Sequence, residues 1–122
     1  MILGQSKKKM ENRRSIKRVL VDLSCAITMT NGVKIPGIAK NLSAKGMFFE
    51  SNYPLNKGTE VTVNFNIMLN GELKPIEALS KIEHQATKVS LGEYGIGLQF
   101  TEIDEECLGF LEKYIDGCPS LH

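Results

Sequence analysis

The fold is decided first by residues 19–29, which read VLVDLSCAITM. Apolar side chains recur at every second position from Val19 to Met29, and Asp22 and Ser24 lie between them. A period of two is typical of a β-strand with one buried face. The stretch therefore predicts a long strand that turns one face to a core and the other to solvent.

Similar alternation continues along the chain in short segments separated by turn residues. Asn31-Gly32 and Asn70-Gly71 are dipeptides that favour tight hairpins. Further strands are predicted at positions 33–40, 47–50, 61–69 and 96–100, with a weaker strand region over 72–91 that Pro75 interrupts. Many short strands joined by hairpin turns predict a mainly β protein, in the form of a small antiparallel barrel.

One helix is predicted near the carboxyl end. Asp104 is a favourable N-cap, and two glutamates follow it in the first turn. Leu108, Leu111 and Ile115 recur at helical spacing, and Gly117 marks the end. We expect this apolar stripe to pack on the barrel as a lid.

Length and charge indicate one domain with a basic amino-terminal arm. The chain has 122 residues, 42% of them hydrophobic, which suits a single core. Residues 1–18 carry a net charge of +6, whereas the remainder carries −5. We expect a flexible arm over 1–10, a folded domain over 11–117 and a tail over 118–122. A basic arm on an acidic body implies an anionic partner, whether nucleotide, nucleic acid or membrane surface.

The cysteines and the amino terminus indicate the compartment. Cys25, Cys107 and Cys118 form an odd set without a Cys-x-x-Cys pair, so neither a zinc knuckle nor a disulfide framework is predicted. The opening apolar run is too short for a signal peptide, and no stretch is long enough to insert in a membrane. We expect a cytoplasmic protein with reduced thiols and no bound metal.

Two short polar clusters stand beside predicted strand ends. The first, Arg13-Arg14-Ser15-Ile16-Lys17-Arg18, offers guanidinium groups that hold phosphate or the acceptor edge of guanine through paired hydrogen bonds. The second, Asn41-Leu42-Ser43-Ala44-Lys45-Gly46, offers short polar side chains and a glycine that admits close approach of a ring. Together the clusters predict a binding site for a planar, phosphorylated ligand.

The same clusters carry a resemblance to a known family. Arg14-Ser15-Ile16-Lys17-Arg18 fits the RxxxR element, and Asn41 to Gly46 fits the (D/N)xSxxG element, of the PilZ domain family. The strand Gly95-Ile96-Gly97-Leu98-Gln99-Phe100 also resembles the glycine-rich closing strand of such domains. The resemblance implies a six-stranded barrel without catalytic residues that binds the bacterial second messenger cyclic di-GMP, with no other cofactor.

The resemblance also implies which residues bind the ligand and how. Arg14 and Arg18 would hold its phosphates or guanines, Asn41 and Ser43 its base or sugar edges, and Gly46 would give the conformation that presents them. Arg13 resembles the additional arginine of domains that accept a stacked pair of ligand molecules. Asn41 stands where many relatives have Asp, and its amide both accepts and donates. Ligand would order the arm and expose a surface to a downstream protein partner.

Three other functions are weighed against this one. A ligand-independent, PilZ-like adaptor between proteins is the main alternative, although the intact arginine element disfavours it. Nucleic-acid binding through the arm is disfavoured because no aromatic residue precedes Phe48 to stack on bases. No catalytic constellation is found, since His84 and His122 are the only histidines and no nucleophile-base pair is evident. His84 is interpreted as an ordinary surface residue.

Overall fold

The computed structural model describes residues 7–9, 16–84 and 86–119, the first three by their backbone only. Within these residues the chain forms eight strands and one helix, which are numbered in chain order. They are β1 (Lys7–Lys9), β2 (Arg18–Met29), β3 (Lys34–Ser43), β4 (Gly46–Ser51), β5 (Glu60–Leu69), β6 (Glu72–Ile82), β7 (Thr87–Ser90), β8 (Glu93–Asp104) and α1 (Glu105–Asp116).

Six of these strands close into an antiparallel ring. Neighbours run in the order β8, β4, β3, β2, β5 and β6, and β6 returns to pair with β8. The ring and its carboxyl-terminal helix confirm the predicted fold class. Two short strands add to the ring at the ends of β8, where β7 pairs with residues 93–95 and β1 with residues 102–104. Apart from β1, the expected arm over 1–10 lies outside the described residues.

The alternation in β2 fills the core, but a bulge interrupts it. Val19, Cys25 and Ile27 are buried, as the sequence predicts, whereas the two apolar residues between them in the pattern, at 21 and 23, are only half-buried. The pairing register between β2 and β3 shifts between Leu20 and Leu23. Because a bulge places an extra residue against one partner, it raises the local twist and re-aims the side chains beside it. Those side chains belong to the strand end that carries Arg18.

Pro75 does not interrupt β6, contrary to expectation. The strand pairs with β5 from Glu72 to Lys81, with Pro75 opposite Asn66. Its second side pairs with β8 only between Ala78 and Ile82. Proline is tolerated because at this position the second side meets the helix rather than a strand, and the Pro75 carbonyl accepts a hydrogen bond from Cys107 Sγ at 3.6 Å.

Helix α1 caps the barrel as predicted. Its buried stripe is Leu108, Leu111 and Ile115, and it packs on β5, β6 and β8. Asp104 is the N-cap, because its Oδ1 accepts a hydrogen bond from the Glu106 amide at 3.1 Å. Among the residues that the structure describes, no helix combines the length and apolar character needed to cross a bilayer.

Candidate functional site

A polar cleft of about 290 Å³ opens on the barrel where β2 begins, β3 ends and β4 begins. One wall consists of Arg18, Ser43, Lys45 and Gly46. The facing wall is built from a distant part of the sequence, and the base of the cleft from β4 and β8. The facing wall comprises Glu83 and His84, and the base comprises Met47, Phe48, Gly97, Leu98 and Gln99.

The first wall joins the two predicted polar clusters. Arg18 pairs with Ser43 across the β2–β3 ladder, and Asn41 lies one step further along the same strand end. Arg18 Nη2 donates a hydrogen bond to Asn41 Oδ1 at 3.2 Å. Both strands have register shifts nearby, the second between Ala39 and Asn41 on the β4 side of β3. The guanidinium and the amide are therefore neighbours on the outer face of the barrel.

Ser43 shapes the turn between β3 and β4. Its Oγ accepts hydrogen bonds from the backbone amides of Lys45 at 3.0 Å and Gly46 at 3.2 Å, and donates to the Gly46 carbonyl at 3.4 Å. One hydroxyl has one proton and two lone pairs, so these three bonds use its full capacity. In this structure Ser43 acts on the backbone of the turn, and a direct bond to a ligand would replace one of these contacts.

Gly46 is needed for space rather than for an unusual backbone conformation. A Cβ at this position would overlap the carbonyl oxygen of Leu98. The glycines with positive φ among the described residues are 32, 58, 71 and 92, and Gly46 is not one of them. The expectation that Gly46 gives the conformation that presents Asn41 and Ser43 to a ligand stays a prediction. What the glycine allows is the close approach of β4 to β8 at the base of the cleft.

Arg13 and Arg14 lie outside the described residues. On one side of them the backbone of Lys9 pairs with Glu102 on β8, and on the other side Arg18, which lines the cleft, pairs with Ser43 on β3. The contribution of both arginines therefore stays a prediction, whereas Arg18, Asn41, Ser43 and Gly46 occupy one corner of the barrel.

Next to the cleft, the charge of Lys40 is balanced locally. Its Nζ lies 3.0 Å from Asp22 Oδ1 on the outer face of the β2–β3 pair. The hydrogen bond to Asp22, with the attraction of that carboxylate, raises the pKa of Lys40 above its ordinary value. This lysine lies in the bulge of β3 and directly precedes Asn41, and its ammonium contacts Asp22. Arg18, by contrast, contacts the second polar cluster directly through Asn41.

The facing wall could not be found from the sequence. Glu83 and His84 follow β6, some forty residues after Ser43. Neither belongs to a motif, and the nearest sequence signal is the glycine-rich strand that holds Gly97. The described residues contain no group of three or more side chains suited to hold a metal ion.

Comparison with known proteins gives one family and a shared fold. The model of the PilZ domain family matches residues 12–117. No curated protein sequence matches the chain. Several solved structures are similar, and three of them illustrate the range.

MotI/DgrA, an inhibitor of motility from Bacillus subtilis, superposes with a TM-score of 0.71 at 16% identity, over 87% of this chain and 50% of that one. The chain thus spans about half the length of MotI. The PilZ domain of CeSA from a cellulose-synthesizing bacterium superposes with a TM-score of 0.53 at 17% sequence identity, over 82% of this chain and 95% of that one. The PilZ domain of YcgR from Escherichia coli, solved with c-di-GMP, superposes with a TM-score of 0.56 at 11% sequence identity, over 88% of this chain and 92% of that one. At these identities the likenesses establish the fold.

Proposed function

The chain belongs to the PilZ domain family, and from this premise we propose that it is a receptor for cyclic di-GMP that relays the signal to a downstream protein. The observation that carries the proposal is the hydrogen bond between Arg18 and Asn41, because it unites the two polar clusters at one cleft. The likeness to the YcgR domain solved with c-di-GMP supports the choice of ligand.

The chemistry of the first wall suits this ligand. Cyclic di-GMP presents two phosphodiester anions and two guanines with O6 and N7 acceptors. The Arg18 guanidinium has five N–H donors in a rigid fork, so one edge can serve Asn41 while another grips a phosphate or a guanine. Asn41 is held by the same contact and can present its amide to a base or sugar edge. Arg14, four residues earlier in the motif, would supply the second fork.

The binding claim is tested by titration calorimetry with cyclic di-GMP. Arg14→Ala and Arg18→Ala are each expected to weaken binding by about 10- to 100-fold, since a hydrogen bond to a charged group contributes about 1.5–3 kcal/mol. Arg18→Lys keeps the positive charge but removes the paired hydrogen-bond donors of the guanidinium. This variant should bind cyclic di-GMP more weakly than the wild type, because an ammonium cannot form the paired bonds. Lys34→Ala, at the opposite end of β3, is the control and should bind normally.

Unchanged affinity in both arginine-to-alanine variants would contradict the proposed site. Absence of binding by the wild type would contradict the receptor itself, and would favour the ligand-independent adaptor. The same titration gives the stoichiometry. If Arg13 serves a second, stacked molecule, the wild type binds two ligands per chain and Arg13→Ala binds one.

The relay is proposed to work through the amino-terminal segment. The strongly basic residues 1–18 would be drawn onto the first wall by the anionic ligand, which would change the surface offered to a partner. Arg18, at the carboxyl end of this segment, lines the cleft, and this position supports the proposal. Amide hydrogen exchange of residues 5–18 tests this, with β5 as the internal reference. Ligand should slow exchange in the segment and leave β5 unchanged, whereas equal protection in both states would contradict the relay.

A further inference from the structure

The facing wall of the cleft carries a second set of groups that the two sequence motifs do not include. Resting on the proposed function, we propose that His84 is a ligand-binding residue whose imidazole stacks on one guanine of cyclic di-GMP. The juxtaposition that carries this inference is His84 against Gly97, inside the same cleft as Arg18 and Ser43.

The backbone fixes His84 at this wall. The Glu83 amide donates a hydrogen bond to the Gly97 carbonyl at 2.8 Å, which ties the chain to β8 directly after β6 ends. His84 then lies over the glycine, since a Cβ at position 97 would be 3.1 Å from His84 Cδ2. That distance is tighter than ordinary van der Waals contact. The missing side chain therefore lets the imidazole sit close to the β8 backbone.

Gly97 also connects His84 to the base of the cleft. It pairs with Phe48 across the β4–β8 ladder, and Phe48 pairs in turn with Asn41. One row across the outer face of the barrel therefore contains Asn41, Phe48 and Gly97, with the imidazole above the glycine. A base placed along this row would meet the amide of Asn41 at one end and the flat face of an aromatic ring at the other.

The charges of the two walls indicate which part of the ligand lies at each. The first wall holds Arg18 and Lys45, both cations, whereas Glu83 adds a carboxylate to the facing wall. A phosphodiester is repelled by that carboxylate and attracted to the cations, so the phosphates belong at the first wall. The base belongs at the facing wall, where a carboxylate can accept the N–H groups of guanine. The cleft, at 290 Å³, lies near the lower limit of about 300 Å³ for small-molecule sites, so it suits part of the ligand rather than all of it.

The affinity test uses calorimetry on four proteins. His84→Ala should weaken cyclic di-GMP binding about ten-fold, because stacking of a base on an aromatic side chain contributes on this scale. His84→Phe keeps a flat ring without ring nitrogens, and should bind within about three-fold of the wild type. Gly97→Ala should also weaken binding, since its methyl group displaces the imidazole while the first wall stays intact. Thermal unfolding of each variant verifies that the fold is retained.

A spectroscopic measurement distinguishes stacking from a structural role. The chain has two histidines, so the Cδ2–H signal of His84 can be assigned by its loss in His84→Ala, and His122 provides the second signal. Cyclic di-GMP should move the His84 signal upfield through the ring current of the base. If His84 only stabilised the contact between β6 and β8, its substitution would lower the stability of the protein, but cyclic di-GMP would not shift the His84 signal of the wild type.

The outcomes separate this inference from the proposed function. If the wild type does not bind cyclic di-GMP, the proposed function fails and the stacking role falls with it. If Arg18→Ala weakens binding but His84→Ala binds as the wild type does, the receptor stands and the stacking role is overturned. Weak binding by His84→Phe would equally overturn stacking, because a ring alone would then be insufficient.

Discussion

The inner and outer faces of the β2–β3 pair differ in what they contribute. On the inner face Val19, Ala39 and Leu42 have no solvent exposure and belong to the core. On the outer face the same two strand ends carry Arg18 and Asn41, which contact each other beside the cleft. Because alternate residues of a strand point to opposite faces, stability and the proposed ligand chemistry can be altered separately here.

The largest change in stability is expected from replacing a leucine by alanine on the inner face, compared with the same replacement on the outer face. Leu42→Ala should lower the free energy of unfolding by about 2–5 kcal/mol, since it opens a cavity in a fully buried site. Leu20→Ala is the matched control, because Leu20 is 70% exposed on the neighbouring strand, and a change within about 0.5 kcal/mol is expected. Chemical denaturation measures both. Similar losses in the two variants would remove the distinction between the faces.

The next effect concerns Cys25 on the inner face of β2. Burial raises the pKa of its thiol from 9.0 to about 12. The folded state therefore holds the proton more tightly than the unfolded state does. The stability that the thiol contributes is complete below about pH 9 and is lost as the pH rises toward about 12.

This dependence is measured as the difference in unfolding free energy between the wild type and Cys25→Ala, in reducing buffer. We expect the difference to fall by about 2 kcal/mol between about pH 8 and about pH 10.5. Cys107→Ala, on the half-exposed helix position, is the control for general alkaline effects. A difference that does not change with pH would show that the thiol is not protected by the core.

A smaller effect is expected at Ser43, which is buried yet lines the cleft. Ser43→Ala removes the three hydrogen bonds that hold the turn, and should cost about 1–2 kcal/mol of unfolding free energy. It should also weaken cyclic di-GMP binding, because the turn positions Lys45 and Gly46. Ser43→Thr, which keeps the hydroxyl, is the comparison variant. Weaker binding at unchanged stability would instead favour direct contact between the hydroxyl and the ligand.

The smallest effect is expected at Lys40, on the outer face of β3. Lys40→Ala breaks the contact with Asp22, but exposed ion pairs contribute little because water and salt screen them. We expect no measurable change in unfolding, and normal affinity for cyclic di-GMP, in both Lys40→Ala and Asp22→Ala. A large loss of affinity in either variant would extend the functional part of the outer face beyond Arg18 and Asn41.

Much of the fold could be predicted because it follows from local patterns. The two Asn-Gly turns and the capped helix α1 appear as expected, as does the alternation in β2 outside its bulge. Pro75 was misjudged, since its tolerance depends on what lies on the second side of β6. The bulges near Arg18 and Asn41 were also not predicted, because they appear only when two strands are set in register.

The sequence predicted one wall of the candidate site, but not the facing wall. Arg18, Asn41, Ser43 and Gly46 share a corner because consecutive antiparallel strands bring their ends together, a consequence of chain order alone. Their detailed roles were not predictable. The space at Gly46 depends on Leu98, and the hydrogen bonds of Ser43 depend on the conformation of the turn.

By itself the sequence determined which face of the alternating strands is buried, where the chain turns, and which two clusters carry the charged and polar groups. Only the tertiary structure decided what stands opposite those clusters. Strand β8 pairs with both β4 and β6, and this closure brings Glu83 and His84 across from Arg18 and Ser43. The physical reason is that a period of two specifies the face of a strand, whereas its neighbours are set by the closing of the sheet around a common core.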